Sequence, residues 1–134
     1  MLRTGALTAV TAGLLAAVPS GTGVAAERHG CWSTAPIELV NEGAWKYSNR
    51  ISWCVQSAKI TSVELAITHQ VLNQACRWVR VVEEYRAPAK DGTGQTIYDR
   101  GEFACQGTDG VNPWLAVTVE PDGAYTVDKS GIRW

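Results

Sequence analysis

Apolar and polar residues alternate along most of the chain. In Ser62–Asn73, Val63, Leu65, Ile67 and Val71 occupy every second position, with His69 among them. A period of two puts them on one face of a strand. Thr61-Ser62-Val63-Glu64 has the spacing of a helix-capping box, so a helix competes. The β-branched content of the run favours the strand. Cys76–Arg86 alternates again, with Val79, Val81 and Tyr85 set against Trp78, Arg80 and Val82. Pro88 and two glycines make Ala87–Gln95 a turn or loop. Thr96–Cys105 reads as a strand with a bulge at Gly101. In Trp114–Val127, Leu115, Val117 and Val119 alternate with polar positions, Pro121-Asp122-Gly123 turns the chain, and Tyr125 and Val127 return. Short strands separated by turn signals predict an all-β fold, a small disulfide-bonded β-sandwich or barrel.

The first residues follow a different pattern. Arg3 supplies a charge, Ala6–Val18 is mostly apolar, Pro19-Ser20-Gly21 breaks the run, and Val24-Ala25-Ala26 offers small residues for cleavage. Residues 1–26 therefore read as a secretory signal peptide, too short to span a membrane. Removing 26 of 134 residues leaves 108, a single secreted domain over residues 27–134. An exported chain with four cysteines, Cys31, Cys54, Cys76 and Cys105, reads as carrying two disulfides. Three pairings are open; pairing in order closes two loops of moderate length.

Charge and chemistry narrow the function classes. The chain is nearly neutral, with a formal net charge of -1 and no basic block. That argues against nucleic acid, and against an anionic membrane surface for the mature form. No nucleophile motif, zinc-protease motif or phosphate loop occurs. His29 lies near the mature amino terminus, and His69 reads as a hydrogen-bonded core histidine. Glu83 and Glu84 are adjacent and point to opposite faces of their strand. Asp99 and Glu102 bracket the expected bulge, where their carboxylates would converge if they form a site. Asp109, Asp122 and Asp128 lack metal-ligand spacing. The expectation is a non-enzymatic protein with no cofactor and no metal.

Six tryptophans are present: Trp32, Trp45, Trp53, Trp78, Trp114 and Trp134. Trp32 and Trp53 each adjoin a cysteine, Trp78 follows Cys76 by two positions, and all three read as core or its edge. Trp45 follows the polar Asn41-Glu42-Gly43 and precedes Lys46, Tyr47, Ser48, Asn49 and Arg50, with no visible apolar alternation. Trp45, Lys46 and Tyr47 are therefore expected to form an exposed binding turn. This stretch resembles the tendamistat-type bacterial proteinaceous α-amylase inhibitors, small secreted β-sandwiches with two disulfides paired in order. They present a Trp-Arg-Tyr triplet between the first two cysteines, and here Trp45 stands nine residues before Cys54. The sequence departs from that pattern at Lys46, which takes the place of the arginine, and in the 29 residues that follow Cys105.

The resemblance implies an inhibitor of α-amylase or another secreted glycosidase, with the triplet as contact surface. Two other readings stand beside it. One is a carbohydrate- or cell-wall-binding module that stacks a polysaccharide on Trp45, Trp114 or Trp134. The other is an envelope structural or interaction domain without a ligand. Several coplanar exposed rings along one sheet face would favour the carbohydrate reading, an exposed Trp with a cation in one turn the inhibitor, and burial of every Trp the third.

Overall fold

The computed structural model describes residues 29–133, so the expected signal peptide and Trp134 lie outside the described residues. Eight strands follow in order: β1 (Gly30–Ser33), β2 (Ile37–Asn41), β3 (Trp45–Gln56), β4 (Lys59–Val71), β5 (Cys76–Pro88), β6 (Gln95–Cys105), β7 (Asn112–Val119) and β8 (Tyr125–Arg133). They form two antiparallel sheets. In the first, β3 is central: β4 pairs along one edge, while β1 and β2 share the other. The second is a meander in the order β5-β6-β7-β8. The all-β expectation holds, and the capping-box helix gives way to β4.

β3 shows why the sheets stack. Trp45, Tyr47, Asn49, Ile51, Trp53 and Val55 all point inward and are buried. They meet Ile97 and Phe103 of β6 and Leu115, Val117 and Val119 of β7 in one core. Val63, Leu65 and Ile67 of β4 pack against it half-buried, on the face the alternation predicts. Toward β8 the inner face runs out of cover. Tyr125 and Val127 pair with buried Val119 and Val117, yet both are exposed.

Both disulfides join residues directly opposite on paired strands, Cys31 with Cys54 between β1 and β3, and Cys76 with Cys105 between β5 and β6. All four cysteines are used, which suits an oxidising compartment. Closing loops of 23 and 29 residues restricts the unfolded chain, by about 3–4 kcal/mol per bridge.

The bulge expected at Gly101 sits on the opposite strand. The register slips twice on β5, between Trp78 and Arg80 and between Val81 and Glu83. Gly101 stays in register, and its missing side chain makes room for rings: a Cβ there would lie 2.6 Å from Tyr47 and 2.9 Å from Trp78. His69 is also corrected. It is exposed and stacks on Trp78 at 4.2 Å and 8° where β4 faces β5.

The β3–β4 hairpin carries no Asn-Gly signal, because Ser57 and Ala58 fill its turn. Both have positive φ, 51° and 65°, a conformation costly for residues with a Cβ. Replacing the pair with Asn-Gly should raise stability by about 1 kcal/mol, read as a higher urea midpoint with an unchanged slope.

Candidate binding face

The Trp45-Lys46-Tyr47 stretch is not an exposed turn. The turn ends at Ala44, whose N–H donates to the Asn41 carbonyl at 2.9 Å, and Trp45 opens β3. Trp45 and Tyr47 are fully buried. Trp45 stacks on Phe103 with centroids 4.7 Å apart, and Tyr47 lies 6.0 Å from Trp78. Only Lys46 faces outward, between Val40 of β2 and Gln70 of β4. A partner meeting this stretch would touch one side chain of the three.

Asn49 explains the misreading. It is a polar residue in an otherwise apolar inward row, and it hides the alternation. Its partner comes from the other sheet: the Asn49 amide and the Tyr47 hydroxyl both donate to Asp99 of β6. Asp99 is 1% exposed. Burial pushes its carboxyl up to about 6, although the two hydrogen bonds favour the charged form. Burial beside Asp99 also holds the Tyr47 hydroxyl well above the ordinary tyrosine value.

Asp99 and Glu102 do not converge. Asp99 points into the core, while Glu102 lies on the outer face and pairs with Arg80 at 3.1 Å. The acid beside Asp99 is Glu84, its register partner on β5. With Asp99 enclosed, this group acts as a polar clamp between the sheets.

A row of exposed and half-buried aromatic residues lies on the outer face of the second sheet, apart from Tyr125, which is exposed at the margin of the inner face. The two register slips on β5 shift the phase of its alternation, so Trp78 and Glu84 turn inward while Glu83 and Tyr85 turn outward. Tyr85 therefore leaves the Val79–Val81 set in which the sequence placed it. It stacks on Tyr98 of β6, with centroids 5.0 Å apart and planes at 29°. Tyr98 meets Trp114 of β7 on the diagonal, at 6.1 Å and 34°. Ala116, paired with Tyr98, is small enough to keep the diagonal open.

At the far end Gly131 of β8 pairs with Trp114, and a Cβ there would lie 2.9 Å from the indole nitrogen. Arg133 sits 5.9 Å from the indole centroid, within cation–π range. Three rings thus cross three strands in a row. Polar groups border them: Glu83–Arg100 at 3.3 Å and Arg80–Glu102 on one side, Thr96, Thr118 and Asp128 on the other. Tyr85 is 52% exposed, and Tyr98 and Trp114 are half-buried. Of the tryptophans expected to stack a sugar, Trp45 is in the core, Trp134 lies outside the described residues, and Trp114 is on this face.

Among the described residues, no group of three or more metal-ligating side chains comes together. Comparison with protein-family models, curated proteins and solved structures gives no match.

Proposed function

We propose that this protein is an exported, non-enzymatic binding module that holds a polysaccharide on the outer face of the β5–β8 sheet. The row Tyr85–Tyr98–Trp114 carries the reading. Aromatic rings offer apolar faces and edges to the C–H surfaces of a sugar, and the bordering carboxylates, guanidinium groups and hydroxyls suit its hydroxyls. Trp114, half-buried and lying beside Gly131 and Arg133, serves as the anchor. The row also steadies the sheet, since cross-strand aromatic pairs contribute up to about 1 kcal/mol each. A purely structural row would leave binding unchanged on truncation, and that separates the two roles.

The test is retention on insoluble chitin, cellulose and peptidoglycan and on immobilised polygalacturonate, alginate and hyaluronate. The wild type should be retained on at least one of them, and Trp114→Ala should bind about tenfold or more weakly while melting within a few degrees of the wild type. Inhibition of α-amylase without retention would return the argument to the inhibitor resemblance, by a surface other than the buried pair Trp45 and Tyr47. Neither activity would leave the envelope interaction domain.

A further inference from the structure

We infer that the polysaccharide held on this face is acidic, with its carboxylates seated beside Trp114. The inference rests on the carbohydrate reading and sharpens it.

Trp114 is flanked by cations from both neighbouring strands. Its register partner on β6 is Arg100, and its partner on β8, Gly131, lies between Lys129 and Arg133. The two sides differ in how those charges are matched. Toward β5, Arg100 is paired with Glu83 and Arg80 with Glu102. Toward β8, neither Lys129 nor Arg133 makes an ion pair among the described residues. The nearest acid in sequence, Asp128, accepts a hydrogen bond from the Thr118 hydroxyl.

The chain as a whole is slightly acidic, with a net charge of -1. Two cations that make no ion pair among the described residues thus stand at one end of the aromatic row, against the overall sign. A neutral sugar stacked on Trp114 would bring them no counter-charge. A uronate would bring its carboxylate to them while its ring met the indole, at a surface where the half-buried indole weakens solvent screening. The Tyr85 end has no such excess, because the nearest charged residues on its face of β5, Glu83 and Arg80, are paired with Arg100 and Glu102. The acidic groups are therefore expected at the Trp114 end of the row.

The test compares polygalacturonate, alginate and hyaluronate, each with its methyl ester, which keeps the sugar and removes the charge. Affinity electrophoresis of the folded protein should show at least one acid bound about tenfold more tightly than its ester. That difference should shrink in about 0.5 M salt. The double variant Lys129→Gln/Arg133→Gln should bind acid and ester alike, whereas Lys59→Gln, at the start of β4 in the other sheet, should behave as the wild type. Equal binding of acids and esters, or an equal loss in Lys59→Gln, would overturn the acidic assignment. Trp114-dependent retention on chitin or cellulose would in that case still uphold the carbohydrate reading. Absence of binding to every acidic and neutral polysaccharide would overturn both.

Discussion

Trp45→Ala will cost the fold about 3–5 kcal/mol, the range for emptying a buried aromatic site. The indole is fully buried and stacked on Phe103, at the start of the strand that supplies six inward residues to the core. Truncation would leave a cavity between the sheets, and the disulfides do not close it because each lies within a sheet. Against a total stability of about 5–15 kcal/mol, the loss should lower the melting temperature by roughly 15 °C or more. Trp45→Phe keeps a ring against Phe103 and should cost less. Were Trp45 a contact residue on a surface turn, alanine would leave the melting temperature nearly unchanged. Thermal unfolding of the two variants thus separates core from contact surface before any partner is known.

The second large effect follows from Asp99. In the folded protein burial raises its carboxyl to about 6, against an ordinary value of 3.8. Between those values the folded state holds more protons than the unfolded chain. The contribution of Asp99 is therefore fully present below about pH 4 and is lost as pH rises through about 6. The loss is on the order of 3 kcal/mol. Around the carboxyl stand Tyr47 and Asn49 from β3 and Glu84 from β5, and the negative charge of Glu84 adds to the upward shift.

Two surface groups shift in opposite directions. Backbone hydrogen bonds from Gly94 and Thr93 lower Asp91, so its contribution is lost as pH falls toward its folded value. Partial burial beside Asp91 raises Glu120. Asp91 is exposed and Glu120 half-buried, and solvent screening keeps their contributions small. Urea unfolding across about pH 4–7 should show stability declining through pH 6, and Asp99→Asn should flatten that decline. A wild-type profile that rises over the same range would show that Asp99 is ionised in the fold.

What could be read from the sequence follows the range of the interactions. The strand expected over Ser62–Asn73, observed as Lys59–Val71, and the hairpin around Asp122-Gly123 depend on near neighbours, and alternation reveals both. The disulfides follow from an even count of four cysteines behind a stretch that reads as an export signal. Trp45 reads as a surface residue because the group that balances Asn49 is Asp99, 50 residues further along. Without that partner, Asn49 looks like a surface residue and the inward row looks broken. Tyr85 reads as a neighbour of Val79 and Val81 because nothing in Cys76–Arg86 marks the two slips on β5 that change which residues share a face. Tyr98 and Trp114 stand 16 positions apart in the chain and become neighbours only through the β6–β7 register. Trp114 was visible as a candidate, whereas the row that gives it a role was not.

Hydroxyl-radical footprinting, with and without the polysaccharide that retains the protein, tests the binding face most directly. Side-chain oxidation at Tyr85, Tyr98 and Trp114 should fall on binding, while Trp45 and Tyr47, buried in both states, should react little in either. Protection confined to the outer face of the first sheet, around Lys46 and Val40, or no protection at any of the three rings, would contradict the account.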